Sequence, residues 1–463
     1  MRNNKNYFDE RKKVQRLKKH KGFVKSIKDI RIPVNLRTFS DLISLTRTSI
    51  IAEKKPAYWK RVQQKNIADF VRYIYEIPFY RERFRQAGIG PDDIVTAEDF
   101  LKLPPLTRDE YRNWIEEEEK KSSFEEKRYI RASTSGSSAE PLVFYKYPED
   151  NASDIANLYR TVLTQPDKRY PLFRGKTMAM MVSDSQTGSI VQRLGFFRTR
   201  QCLAMRPAKE LYNAFSEFKP DFLYGMKPAV VELALYILKN DSKIKKPEYV
   251  ASIGADLSDE ERKVIEKAFG KSRVFDMYGS TEVGNFAHEQ VDRPHHYVIW
   301  HDTHVVNVVD DDGSSVRAGI GQILVTPLFH RAFPLVNYQL NDYVEIAESK
   351  GIPYIKRIAG RNNDQIRNAD GSYYTWLVID RVTKNLPGVL YCQVRQTSFE
   401  ELDFYLVENK GKCTGREETE RVLRERCQMY FTNGEKQIRF HWTDYIPVDK
   451  NGKRKLVISE IVS

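Results

Sequence analysis

Cysteine is scarce in this chain: four among 463 residues, Cys202, Cys392, Cys413 and Cys427, with no C-x-x-C pair. Neither a disulfide framework nor a cysteine zinc site is expected, and a reducing, cytoplasmic setting fits. No run of about 18 apolar residues occurs, so no transmembrane helix is expected. The opening MRNNKNYFDERKK has no apolar stretch behind its charges, which argues against a secretory signal. No internal repeat is found, so a solenoid or propeller is excluded.

What is present is ordinary globular material. Hydrophobic residues make up 41% and aromatics 12%, enough to build cores rather than a disordered chain. At 463 residues the chain exceeds what one core organises, so two or more domains are expected. The net charge is +13, but residues 1–31 alone carry +9 and the remainder only +4. The basicity is therefore a local extension, suited in principle to anionic lipid or nucleic acid. A solvated arm is the commoner outcome for such a run, so no nucleic acid is expected, and membrane contact through residues 1–31 is the lesser alternative.

Apolar periodicity predicts a helix over 57–87, interrupted at Pro78. Thr107 reads as a helix cap. From about 129 onward strands and helices alternate: strands at 177–182, 249–253 and 273–277, helices at 208–218, 228–239 and 259–269. Ser258 and Glu261 form a capping box for the last. Such alternation predicts an α/β sheet with helices on its faces. Residues 297–358 read mostly as strands, and a compact α+β unit of roughly 100 residues follows a boundary at 361–364.

Five segments carry candidate chemistry. Ser133-Thr134-Ser135-Gly136-Ser137-Ser138-Ala139-Glu140-Pro141 follows a strand and is small and hydroxyl-rich. Converging backbone N–H groups and hydroxyls suit polyphosphate, although a Ser-rich linker has the same composition, and no Walker G-K-[ST] follows. Asp276-Met277-Tyr278-Gly279-Ser280-Thr281-Glu282 ends a buried strand, where α/β sheets bind ligands. There Glu282 suits Mg²⁺ and Tyr278 offers a flat face to a base. Asp342, at the end of Asn337-Tyr338-Gln339-Leu340-Asn341-Asp342, is placed at a strand start to accept two ribose hydroxyls. Arg361, in Gly360-Arg361-Asn362-Asn363-Asp364, is a fork donor for ribose or phosphate. Lys453 follows a glycine turn in Asp449-Lys450-Asn451-Gly452-Lys453. Each taken alone is matched by a duller reading as turn, linker or basic tail.

In this order and spacing the five resemble the adenylate-forming superfamily of acyl-CoA synthetases, peptide-synthetase adenylation domains and luciferases. Further local matches point to its phenylacetate–coenzyme A ligase branch and relatives from capsular-polysaccharide clusters: PFYRERFRQAGI (78–89), LPPLTRDEYR (103–112), LYGMKPAVVELA (223–234), SIGADLSDEER (252–262) and LVTPLFHRAFPLVNYQLND (324–342). The resemblance covers roughly residues 60–460. It implies a basic extension at 1–50, a large adenylating domain of mixed sheets at 51–360, and a small mobile α+β domain at 361–463. It implies ATP, Mg²⁺ and a small carboxylic acid as ligands, with pyrophosphate release and transfer to coenzyme A. An amine, sugar or carrier protein is the alternative acceptor, and a non-catalytic nucleotide binder the alternative class.

By the same resemblance Lys453, Glu282 and Thr281 are catalytic, with Glu282 on Mg²⁺. Thr134, Ser135, Gly136, Ser137, Ser138, Gly254, Ala255, Asp276, Tyr278, Gly279, Asp342 and Arg361 surround the nucleotide. The chain departs from the family pattern at Ser138-Ala139, where Thr-Gly is usual, at Asn337 and Asn341, where Arg and Gly are usual, and at Asn363, where a carboxylate is usual. Phe196 and Phe197 are candidate acyl-pocket walls. His295, His296, His301 and His304 suggest a metal, but exposed, paired histidines on a strand edge are the expected outcome.

Overall fold

The computed structural model describes residues 32–55, 57–133, 142–167, 169–171, 175–181, 198–240, 244–270, 273–361, 365–409, 415–434, 436–449 and 454–461. The first third is helical: α1 (Ile32–Lys54), α2 (Ala57–Tyr75), α3 (Pro78–Gln86) and α4 (Arg108–Glu119). α2 buries Trp59, Ile67, Phe70, Val71 and Ile74, the face its periodicity predicts. Pro78 opens α3 at its first turn, where its missing N–H costs nothing. Thr107 caps α4: its hydroxyl accepts from the Glu110 N–H at 3.2 Å, and the Glu110 carboxylate accepts from the Thr107 N–H at 2.9 Å. A hairpin of β1 (Ile130–Ser133) and β2 (Val143–Lys146) leads into α5 (Pro148–Leu163).

One continuous eleven-stranded sheet, mixed as expected, forms the centre. Its parallel half holds β3 (Lys176–Met181), β4 (Arg198–Leu203), β5 (Phe222–Met226), β6 (Tyr249–Ile253) and β7 (Val274–Ser280). The helices α6 (Ala208–Phe218), α7 (Lys227–Lys239) and α8 (Asp259–Phe269) connect these strands and share a core with them. The antiparallel half holds β8 (Gly284–Gln290), β9 (Arg293–Ile299), β10 (His304–Val309), β11 (Gly319–Pro327), β12 (Tyr338–Ser349) and β13 (Ile352–Arg361). Strand order is β10-β11-β12-β13-β9-β8-β7-β6-β5-β3-β4. Largely apolar runs such as Tyr249–Ile253, buried over four of five residues, make the parallel half, because both its faces are covered.

Beyond β13 the chain makes a short pair, β14 (Ile366–Arg367) and β15 (Tyr373–Tyr374), then α9 (Trp376–Thr383). A second sheet follows from β16 (Val389–Gln396), β17 (Glu401–Glu408), β18 (Gln437–Thr443) and β19 (Val457–Ser459), ordered β18-β17-β16-β19. Val394, Leu402 and Phe404 of this sheet pack on Leu423 and Cys427 of α10 (Arg416–Tyr430) as a core of their own. Tyr391 and Val407, with Leu390 and Ile446, pack instead into the α7–α8 core.

Two expectations are corrected by this fold. α1 runs across the expected boundary at residue 50 and is built into the large unit. Leu42 is fully buried, Ser153 donates to Asp41 at 2.9 Å, and the Arg160 Nε donates to Ser49 at 2.6 Å. Arg160 itself is buried and forks onto Asp302 at 3.0 and 2.8 Å. The histidines, in turn, are not an exposed edge cluster. His301 and His304 are buried, with Nε2 on the carbonyls of Pro353 and Val283, both at 3.0 Å. His295 pairs with Asp259 and His296 stacks on Tyr354. No metal-holding group of His, Cys, Asp and Glu occurs among the described residues.

Burial also holds one histidine of the sheet neutral. His288 stacks on Trp300 at 4.4 Å, and burial followed by the Arg160 charge pushes its imidazole down to about 3. A histidine held neutral in the fold contributes stability above its unfolded pKa of about 6.5 and loses it as pH falls toward the folded value. Between pH 7 and pH 5 that loss is about 2 kcal/mol for such a group. His288→Phe keeps a ring on Trp300 and removes the titration. Its unfolding free energy in urea, measured at pH 7 and pH 5, should therefore fall by about 2 kcal/mol less than that of the parent; equal falls contradict this account.

Candidate active site

β4 lies on one side of β3 and β5 on the other, so the parallel strands reverse their order there. The C-terminal edge of a sheet at such a point is where α/β folds bind ligands. β6 leaves that edge through Gly254 and Ala255, with Gly254 at φ +89°, a conformation that favours glycine. β7 leaves it through Gly279. A Cβ on Gly279 would stand 2.5 Å from the Gly284 carbonyl oxygen and 2.7 Å from the Asn285 Cα, so only glycine lets β7 and β8 close. The turn between them carries Thr281, exposed, and Glu282, half-buried.

Glu282 is one of the charges around two buried phenols, Tyr111 and Tyr338. Burial first, and then neighbouring charge that includes Glu282, raises the hydroxyls of Tyr111 and Tyr338. No lysine or arginine pairs with Glu282 among the described residues. A lone, part-exposed carboxylate fits Mg²⁺, which keeps most of its waters and takes one or two protein oxygens. Tyr278, four residues earlier, donates its hydroxyl to Asp342 Oδ2 at 2.9 Å. Its ring is 6% exposed and packs on Phe286 at 4.7 Å.

Asp342 lies within β12, not at its start, and its register partner on β13 is Arg361. Two residues 19 positions apart are thus set side by side on adjacent strands. Asn341 precedes Asp342 at φ +59°, so asparagine here occupies the left-handed region that glycine favours and asparagine tolerates. Asn337 is 1% exposed and donates through Nδ2 to the carbonyls of Phe100 and Leu103. It staples the turn before α4 to the start of β12 rather than facing the site edge.

Asp276 is placed differently from its expected role at the nucleotide. It is fully buried, and its two oxygens accept the Ser252 hydroxyl and the Tyr297 hydroxyl, the latter at 2.7 Å. Burial, followed by the charge of Glu289, raises this carboxyl well above the usual range. Glu289 accepts from Arg262 Nη2 at 2.5 Å, from the Asp276 N–H at 2.8 Å and from the His295 N–H at 2.6 Å. Asp276 belongs to a polar cluster beneath the site, closed to ligand.

A second cluster beneath the site was not read from the sequence. Lys146 donates to Asp154 at 2.7 Å, and His330 Nε2 meets the other Asp154 oxygen at 3.2 Å. Burial raises the Asp154 carboxyl, but the Lys146 and His330 charges outweigh it and hold it well below the usual range. A Cβ on Gly284 would collide with Asp154, so this ion cluster sits directly against the Glu282 turn. No local pattern marks it, because β2, α5 and the segment before β12 each supply one residue. Thr134, Ser135, Gly136, Ser137, Ser138, Ala139, Phe196, Phe197, Asn363 and Lys453 lie outside the described residues, as does the side chain of Arg361.

The fold is that of the adenylate-forming acyl-CoA ligases. A structure of 2-hydroxyisobutyryl-CoA ligase, in the postadenylation state with R3-HIB-AMP, superposes with a TM-score of 0.67 at 16% identity, covering 87% of this chain and 89% of that one. Within that class the chain resembles the phenylacetate–coenzyme A ligases and CapK. It is 22% identical over 422 residues to Protein CapK of Staphylococcus aureus, covering 86% of this chain and 89% of the relative. It is 24% identical over 319 residues to phenylacetate-coenzyme A ligase of Pseudomonas putida, covering 64% and 69%. No family model matches the chain.

The Asp276 cluster makes a test of the site's foundation. A carboxyl raised by the fold stabilises it fully below the ordinary aspartate pKa of about 4, and that contribution is lost as pH climbs toward the folded value. Asp276→Asn imitates the protonated acid. The variant's unfolding free energy should decline less than the parent's between pH 4 and pH 7. A steeper decline in the variant would show that Asp276 is ionised and needed as a charge.

Proposed function

We propose that the protein joins a carboxylic acid to ATP as an acyl-adenylate, releases pyrophosphate, and transfers the acyl group to coenzyme A. The observation that carries this is the meeting of Tyr278 on β7 with Asp342 on β12, whose register partner on β13 is Arg361, at the C-terminal edge of the parallel strands, with Glu282 four residues after Tyr278. The relatives named phenylacetate-coenzyme A ligase, and the acyl-AMP complex of the similar ligase fold, support the same reading.

In the reaction, a carboxylate oxygen attacks the α-phosphorus, the bond to the bridging oxygen breaks, and pyrophosphate leaves. No base is required, since the acid is ionised at neutral pH. The work is positioning and charge stabilisation. Loop 134–138 would hold the outer phosphates, Asp342 and Arg361 the ribose, and Tyr278 would stand at the adenine. Gly254 and Ala255 would border the nucleotide. Glu282, with Thr281 beside it, would hold Mg²⁺, which offsets phosphate charge. Lys453 would bridge the attacking carboxylate and the α-phosphate. In the second step the coenzyme A sulfur attacks the acyl carbon and AMP departs.

Pyrophosphate release should be measured with phenylacetate, 2-hydroxyisobutyrate and a panel of aryl, acyl and amino acids. At least one acid should drive it, and the acyl-AMP formed should react with coenzyme A. Transfer only to amines would turn the assignment to an amide synthetase. ATP binding without any acid-dependent pyrophosphate exchange would leave a non-catalytic nucleotide binder.

Lys453→Ala should slow acyl-AMP formation about 100- to 1,000-fold, the usual cost of one preorganised donor to a developing charge. ATP affinity should change far less, because the interaction is made chiefly in the transition state. Lys450→Ala and Lys455→Ala are the controls. Equal, small effects at all three positions would mean a basic tail without a catalytic lysine.

A further inference from the structure

Arg454 follows Lys453 directly, and its side chain ties the C-terminal sheet to the large unit. Nε donates to the Ile446 carbonyl at 3.0 Å, within the C-terminal unit. Nη2 donates to Glu232 Oε1 on α7 at 2.7 Å. The guanidinium lies over the Tyr391 ring, 3.8 Å from its centroid. The arginine side chain is 10% exposed and the glutamate 34%. Around the pair, Leu390, Tyr391, Val407 and Ile446 enter the α7–α8 core, and Asn409 Nδ2 donates to Glu260 at 2.9 Å.

We propose that the Arg454–Glu232 pair is a latch between the two units, holding them in the arrangement that serves acyl-AMP formation, and that it opens for the transfer step. The proposal rests on the assignment of Lys453 made above. Consecutive Cα atoms are about 3.8 Å apart, so a guanidinium fixed on α7 limits where the residue before it can go. A planar fork stacked on an aromatic and shielded from water holds its partner more firmly than a lysine would. A contact made in one arrangement and not in the other shifts their balance by its own free energy. Arg454 and Glu232 are thus positioning residues that act through Lys453, not catalytic residues.

The test uses the full-length protein with Glu232→Gln, Arg454→Lys, and the exchange Glu232→Arg with Arg454→Glu. Acyl-AMP formation is followed as pyrophosphate release with phenylacetate. Transfer is followed from synthetic phenylacetyl-AMP and coenzyme A. Couplings between sites usually span about 5- to 150-fold. With Glu232 one-third exposed, Glu232→Gln should fall near the low end, slowing the first step about 5- to 20-fold and leaving the second unchanged or faster. The charge exchange should restore much of the first step. Equal slowing of both steps, or no slowing of the first, overturns the latch, because a merely structural contact would weigh on both. Hydrogen exchange at the amides of 227–239 and 389–396 decides independently of any activity. Faster exchange in Glu232→Gln supports the latch, and unchanged exchange removes it even if phenylacetate proves not to be a substrate.

Discussion

Two carboxylates buried side by side, Asp276 and Glu289, sit where the central sheet changes from parallel to antiparallel. Taking an isolated charge out of water is costly unless donors surround it, and two neighbouring carboxylates would repel each other. The fold answers with one arginine and a set of directed donors. Arg262 neutralises Glu289 and the N–H groups of Asp276 and His295 complete its shell, while Ser252 and Tyr297 close on Asp276. Every strand bearing a candidate ligand group from the parallel half is thereby tied to its neighbour. Ser252 lies two residues before Gly254, and Asp276 two residues before Tyr278. The cluster is polar framework, and the accessible chemistry begins just beyond it.

The site draws on the antiparallel half and on the N-terminal helices as well. The segment before α4 pairs with β12: the Leu106 N–H donates to the Asn337 carbonyl and the Gln339 N–H to the Leu106 carbonyl, both at 3.1 Å. Asn337 adds its side chain to the turn at 100–103. This delivers Tyr111 from α4 to Tyr338 on β12, with ring centroids 6.3 Å apart, and Glu282 is a neighbouring charge of both phenols. The motif LPPLTRDEYR is in this sense structural. Its proline-rich turn docks a helix so that the helix's tyrosine, Tyr111, packs against Tyr338 of the sheet.

The legible parts of the sequence were those fixed by local periodicity or local chemistry. Helices at 208–218 and 259–269 are found where they were expected, with Ser258 as cap, because amphipathic spacing and a capping box are short-range signals. The alternation of strands and helices disclosed the α/β half. α1 adjoins the basic arm in sequence, and only contact with α5 shows that Leu42 is core. Asp276 was misplaced because an acid at the end of a strand looks the same from sequence whether it faces ligand or the next strand. Lys146, Asp154 and His330 gave no sign, since a long-range ion cluster has no period. Asn337 and Asn341, which stand out as departures from the resembled pattern, differ in kind. Both take left-handed backbone, at φ +50° and +59°, but the first is in addition a buried staple, while the second keeps only the conformation that the usual glycine would adopt.

The C-terminal sheet distributes its apolar surface unequally between its two faces. Val394, Leu402, Phe404 and Leu406 are fully buried within its own core against α10. One end of the opposite face, at Tyr391 and Val407 with Tyr405 beside them, meets the core of the large unit. Farther along, that face turns polar, with Arg395 over Tyr405 and with Asp403 held by Arg439 and His441. Separating the units would expose a few apolar side chains and leave the C-terminal core whole. Interfaces of this composition, small and partly polar, permit relative motion between units. The polar pairs at Glu232 and Glu260 then matter more than their number suggests, because apolar packing by itself is nondirectional. The two-step reaction proposed above would need an interface weak enough to part and specific enough to return, and a short apolar seam with directed ion and hydrogen-bond contacts would supply both.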